Sequence, residues 1–140
     1  MIQIFFSENI VHWPTDQSRN ATIYLKPNTH TALILPKLDK SSNSKLLIVV
    51  TTAMDNLVQR NTIRKYLSNH SKTTIYFLIG HNGNSQSDLQ KKIIQESNEH
   101  QDIIQEDFMD TYANLTIKSL MAIKFFKKSE VDKIAEIHLQ

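Results

Sequence analysis

A chain of 140 residues is about one domain long, and with 40% hydrophobic and 21% charged residues it has the makeup of a folded globular protein. Sixteen Lys and Arg against fourteen Asp and Glu leave a formal charge of +2, interspersed along the chain without the basic stripe that marks a nucleic-acid binder. The two glycines match neither glycine-rich phosphate loop, and the absence of cysteine excludes disulfides, thiolate metal sites and a thiol nucleophile.

The N-terminal stretch MIQIFFSENIVHW has no basic leader, and Ser7, Glu8 and Asn9 interrupt its apolar residues, so it lacks the core of a signal peptide. Nowhere do about 18 apolar residues run together, the length a membrane-spanning helix needs. Residues 1–44 read as a stem-like, irregular segment with short strands at ATIYL (21–25) and TALIL (31–35), the latter pair forming a stem or an edge hairpin. A polar linker (39–45) then leads to LLIVVTT (46–52), a continuous β-branched run of the kind buried on both faces of a parallel sheet.

From 55 to 69, Leu57, Val58, Ile63, Tyr66 and Leu67 fall at helical spacing, with Asp55 placed to cap the first turn. TTIYFLIG (73–80) is a second buried strand, broken by HNGNS. Ser85 or Ser87 opens a second helix carrying Leu89, Ile93 and Ile94, which ends near NEHQ before the brief apolar pair Ile103 and Ile104. The acidic stretch EDFMDTYANLTIKSL (106–120) leads into a third helix. Tyr112, Leu115, Leu120 and Ile123 lie on its inner side, and Lys118, Lys124, Lys127 and Lys128 mostly outside. Strands alternating with helices imply a doubly wound α/β layer around a parallel sheet, whose ligands sit beyond the carboxyl ends of the strands. That rule singles out TTAMDN, GHNGN and QEDFMDTY.

Each candidate has two readings. Arg60 and Arg64, four apart, either hold a diphosphate through forked hydrogen bonds or belong to a solvated helix face, and spacing alone favours the face. Glu106, Asp107 and Asp110 either bind a sugar, a base or a cation, or Asp110 or Thr111 caps the helix, the commoner use. Tyr112 stacks on a ring or joins the core. His81 is polar furniture of a strand end, since the six histidines show no metal-ligand spacing. Lys118 approaches a phosphate or pairs with Asp110 or Asn114, the structural role being slightly favoured. Of the formal sequons, Asn20 and Asn69 are expected to be glycosylated before Asn114, which falls in the first turn of a packed helix.

The strings LLIVVTTAMDNLVQRNTIRKYL, TTIYFLIG and ESNEHQDIIQEDFMDTYANLTIKSLMAIKF resemble, in order and spacing, the β-1,3-galactosyltransferase or hexosyltransferase family, glycosyltransferase family 31. The resemblance is carried by Arg60, Ile63 and Arg64, by Phe77, Leu78 and Gly80, by Glu96, Asp102 and Ile103, and by Asp107, Phe108, Asp110, Tyr112, Asn114, Leu115, Thr116 and Lys118. It implies a GT-A-like (Rossmann-like), three-layer parallel sheet, incomplete on its C-terminal side, with residues 45–140 as the N-terminal half of the catalytic domain.

The implied activity is inverting transfer of galactose or N-acetylhexosamine from a UDP-sugar to a sugar hydroxyl in β-1,3 linkage. The implied cofactor is Mn2+, the acceptor a glycan on a glycoprotein or glycolipid, and the location the lumenal side of the Golgi membrane, with a membrane anchor in the full-length protein. The nucleotide-sugar contacts it implies are Thr51, Thr52, Arg60, Arg64, Asp107, Asp110, Tyr112 and Lys118. Departures accompany it: the family's Thr-Trp is Tyr66-Leu67 here, and neither the D-x-D metal motif nor the later general base has a counterpart, so no catalytic residue is assigned. The expectation is a fragment or a degenerate relative, with a non-catalytic binding or scaffolding relative as the alternative.

Overall fold

The computed structural model describes residues 26, 29–37, 46–67, 72–111, 114–126 and 134–138. Its elements are β1 (Ala32–Ile34), β2 (Leu46–Thr51), α1 (Leu57–Leu67), β3 (Thr73–His81), α2 (Asp88–His100), β4 (Ile103–Met109), α3 (Leu115–Phe126) and β5 (Ile134–His138). One five-stranded sheet runs in the order β1-β4-β3-β2-β5.

The apolar run of β2 is buried on both faces because helices cover both. Toward one side Leu47, Val49, Leu78, Ile104 and Phe108 meet Ile117, Met121, Ala122 and Phe125 of α3. Tyr76 and Phe125 pack edge to face there, with ring centroids 5.3 Å apart. Toward the other side Ile48, Val50, Phe77, Ile79 and Ile103 meet Ile63 and Leu67 of α1 and Leu89 and Ile93 of α2. The architecture is three-layered, Rossmann-like α/β.

The sheet is not wholly parallel, contrary to expectation. β2 to β5 are mutually parallel, but β1 lies antiparallel on the outer edge of β4, with Ala32 opposite Glu106. An edge strand that precedes the wound unit needs no crossover helix, so nothing forces it parallel. Residues 21–25 fall outside the described set, and the proposed hairpin with them.

β5 was not anticipated from the sequence. It lies beside β2, in register with Thr51 opposite His138, on the side away from β3. Winding therefore runs from β2 outward to β4 and then jumps back across β2, and the reversal puts α3 on the opposite face from α1 and α2. The switch point lies between β2 and β5, where an open sheet forms its ligand crevice.

Three local expectations are corrected by packing. β4 runs through Gln105 and Glu106 to Met109, so the acidic stretch is strand as well as loop. Its buried polar side chains are satisfied: Gln105 Nε2 donates to the Gly80 carbonyl (3.0 Å), and Thr31 Oγ1 donates to Glu106 Oε2 (2.6 Å). α3 is turned relative to the expected face, burying Lys118 and leaving Ile123 57% exposed. α1 begins at Leu57, so Asp55 lies in the preceding turn rather than at the cap, and its sheet-facing row is Arg60, Ile63, Arg64 and Leu67, while Val58 and Tyr66 are exposed. α2 starts as read, with Ser87 Oγ accepting from the Gln90 amide at 3.1 Å.

Gly80 sits where β4 presses closest on β3. A Cβ there would lie 2.6 Å from the Phe108 carbonyl oxygen and 2.9 Å from the Asp110 Cβ, and backbone cannot step aside as a flexible side chain can. Gly80→Ala is expected to cost about 1–3 kcal/mol, read as a lower urea midpoint at unchanged slope.

Candidate functional site

The carboxyl ends of three parallel strands are tied together by one ion pair. Lys118, on α3, is 5% exposed, and its Nζ donates to the carbonyl of Thr52 just past β2 (2.8 Å) and to Asp110 Oδ1 just past β4 (2.7 Å). Asp110 Oδ2 in turn accepts from the amide of Gly80 in β3 at 3.1 Å. Asp110 is thus no helix cap: both its oxygens face inward. Lys118 makes the expected pair with Asp110, from inside the helix–sheet interface rather than outside it. Thr51 and Thr52, beside the switch point, are buried, and of the two it is the Thr52 carbonyl that receives Lys118.

The two arginines of α1 are neither solvated nor aimed at the strand ends. Arg60 is wholly buried: Nε and Nη2 donate to the two oxygens of Glu96 on α2 (2.8 and 2.7 Å), while Nη1 and Nη2 reach the carbonyls of Ala53 (2.6 Å) and Met54 (3.0 Å). A diphosphate could reach this guanidinium only if that network opened. Arg64, one turn nearer the amino ends of the strands, forks onto Asp102 through Nε and Nη2 (2.7 and 2.8 Å) and shares Glu96 Oε1 at 2.7 Å. Its guanidinium carbon also stands 4.8 Å from the centroid of the Phe77 ring. Burial by itself would raise the Glu96 carboxyl, but the hydrogen bonds and charges of Arg60 and Arg64 hold it below the ordinary carboxylate range. Burial likewise opposes charge on Arg64, and Asp102 and Glu96 outweigh it, holding the guanidinium above its usual value.

Asp107 belongs elsewhere. It is exposed on β4, and its Oδ1 lies 3.3 Å from His81 Nε2. His81 Nδ1 accepts from the Gly83 amide at 3.0 Å, so in the neutral ring Nε2 carries the proton and points it at Asp107. The pair lines a groove of about 420 Å³ between Leu33 and Ile94, with Asn84 and Gln90 on its walls. β4 is two strands from β2, about 10 Å across the sheet, so Asp107 does not share the switch-point crevice. Asn114 is buried and donates from Nδ2 to the Met109 carbonyl (2.7 Å), leaving no room for a glycan. Tyr112, Asn20 and Asn69 lie outside the described residues. Among the described residues no three His, Cys, Asp or Glu side chains converge to hold a metal ion, so the Mn2+ implied by the resemblance finds no fitting ligand set there.

Sequence reasoning counted Glu96 and Asp102 among the matched positions but gave them no role. Their signal is that two arginines on one helix are followed, after the next strand, by two carboxylates on and just past the next helix, which makes ion pairing between adjacent helices possible.

Fold and site define a doubly wound Rossmann-like α/β layer whose strand ends are locked by buried charge around a β2–β5 switch point. Residues 58–136 match the galactosyltransferase family profile, and the chain belongs to that family. It is 31% identical over 121 residues to β-1,3-galactosyltransferase 2 of Homo sapiens, covering 77% of this chain and 29% of the relative. To β-1,3-galactosyltransferase 5 of Homo sapiens it is 34% identical over 99 residues, 66% of this chain and 31% of the relative. To lactosylceramide 1,3-N-acetyl-beta-D-glucosaminyltransferase of Mus musculus it is 36% identical over 85 residues, 54% of this chain and 23% of the relative. The chain spans less than a third of the length of each of these three.

Lys118→Met keeps the stem and removes the charge, stranding Asp110 with one amide donor. The expected loss is about 3–5 kcal/mol, part of which Asp110→Asn restores in the double variant; a double-mutant cycle in urea measures the coupling. Glu96 gives the pH dependence. Its folded pKa is depressed, so its contribution is complete above the unfolded value, about 4.3, and is lost as pH falls through the lower folded value. Glu96→Gln is expected to lower the melting temperature at pH 7 and to flatten this acid limb of a stability curve taken from pH 7 to pH 2.

Proposed function

We propose that this chain is the donor-facing half of a GT-A glycosyltransferase domain that transfers galactose or an N-acetylhexosamine from a UDP-sugar to a sugar hydroxyl in β-1,3 linkage, on a glycoprotein or glycolipid. The observation that carries the reading is the family match over residues 58–136, which runs from α1 into β5 and so reaches one of the two strands that flank the switch point. The names of the relatives support the galactose and N-acetylglucosamine alternatives for the donor and the 1,3 linkage. A Golgi lumenal location with a membrane anchor in the full-length protein belongs to the same proposal.

In an inverting transfer the acceptor oxygen attacks the anomeric carbon, the bond to the UDP oxygen breaks, and the acceptor proton passes to a base. The share given to this chain is binding and orientation. The turn after β2, from Thr52 to Asp55, receives the nucleotide, and the Lys118–Asp110 pair keeps the strand ends beneath it from spreading. A divalent manganese ion would neutralise the leaving diphosphate in the whole domain, and since the described residues present no set to hold it, no step here runs through it.

Titration calorimetry of the 140-residue chain with UDP and with UDP-galactose, each with and without manganese, tests the reading. Saturable heat with either ligand is expected. A chain folded by circular dichroism that gives no heat with any of them would overturn it in favour of a non-catalytic relative.

A further inference from the structure

Arg60 reaches past its ion pair to two consecutive carbonyls, those of Ala53 and Met54, in the turn that follows β2 at the switch point. No cis peptide occurs among the described residues, and in a trans peptide the carbonyl of one residue and the amide of the next point in opposite directions. Drawing the Ala53 and Met54 carbonyls onto a wholly buried guanidinium therefore turns the amides of Met54 and Asp55 away from it. Neither amide meets an acceptor among the described residues. Successive backbone amides left facing one way form a receptor for oxygen acceptors. The turn itself is short: the Asn56 amide closes onto the Ala53 carbonyl at 3.3 Å, and α1 starts at the next residue.

The guanidinium is itself held from two sides. Glu96 takes Nε and Nη2 at 2.8 and 2.7 Å, a bidentate grip that fixes the plane of the fork and with it the direction of Nη1 and Nη2. Arg64 binds the same carboxylate but makes no contact with the turn. The two arginines thus share Glu96, but only Arg60 touches the β2–α1 turn, while Arg64 turns to Asp102.

Resting on the glycosyltransferase reading above, we propose that Arg60, aligned by Glu96, is the positioning residue of the donor site, presenting the Met54 and Asp55 amides to an acceptor oxygen of the nucleotide. That oxygen belongs either to the base or to the diphosphate, and both offer the same chemistry to an amide.

The test compares the wild-type chain, Arg60→Lys and Arg64→Lys by calorimetry with UDP, uridine and inorganic pyrophosphate, and by NMR backbone order parameters. Arg60→Lys is expected to weaken UDP tenfold or more and to lower the order parameters of the Met54 and Asp55 amides, whereas Arg64→Lys stays within threefold and leaves those amides alone. Loss of uridine binding in Arg60→Lys assigns the acceptor to the base; loss confined to pyrophosphate assigns it to the diphosphate. Equal weakening by both variants, or unchanged UDP affinity in folded Arg60→Lys, overturns the proposal.

If wild type binds no nucleotide, the glycosyltransferase reading fails on its own account. The positioning role then stands or falls on whether Arg60→Lys loosens Met54 and Asp55 selectively. Should Arg60→Lys not fold, Glu96→Gln replaces it: lower order parameters at the same two amides support the role, and unchanged values there overturn it.

Discussion

For α1 to lie on the sheet it must bury the row that carries Arg60 and Arg64, and a guanidinium leaves water only where carboxylates and carbonyls replace its hydration. Glu96 and Asp102 supply the carboxylates and the β2–α1 turn supplies the carbonyls, so helix α1, helix α2, the start of β4 and the turn after β2 are joined through one network. Its members come from two successive crossovers of the chain, β2-α1-β3 and β3-α2-β4, and the bonds to Glu96 and Asp102 cannot form until α1 and α2 have docked on the sheet. An ion pair of this kind does little to favour folding over a well-packed apolar alternative. What it adds is intolerance of other arrangements, because any shift leaves a charge buried and unpaired.

The same logic recurs where the strands end. Lys118 enters the α3–sheet interface only because Asp110 and the Thr52 carbonyl receive its three-proton head, and Asp110 is fixed from behind by the Gly80 amide. Buried polar pairs also hold the far edge, where Gln90 and Gln105 exchange amide hydrogen bonds. Both apolar layers are conventional. The polar contacts set the register of the loops above them.

These constraints bear on function through the switch point. Beside the switch point Thr51 and Thr52 are buried, and Arg60, Arg64 and Lys118 are engaged by Glu96, Asp102 and Asp110 within the fold. The direction of the peptide groups in the β2–α1 turn therefore depends on side chains lying well behind the surface. His81 and Asp107, by contrast, sit open to a separate groove. The acidic cluster that looks like one site in the linear chain is therefore divided, Asp110 to the interior and Asp107 to an edge.

The apolar runs of β2 and β3, the amphipathic α2 with its Ser87 cap, and the alternation of strand and helix were legible in the sequence, because burial on both faces and helical periodicity are local patterns. The family match was legible too, since it rests on residues at fixed offsets. Where periodicity failed, a polar residue was inside. The local pattern places Arg60 and Lys118 outward and Gln105 and Glu106 in a loop, and it carries no signal for β5. Whether a charged or amide side chain can be buried depends on partners tens of residues away, Glu96 for Arg60 and Thr52 for Lys118, and only the folded chain brings them within hydrogen-bond reach.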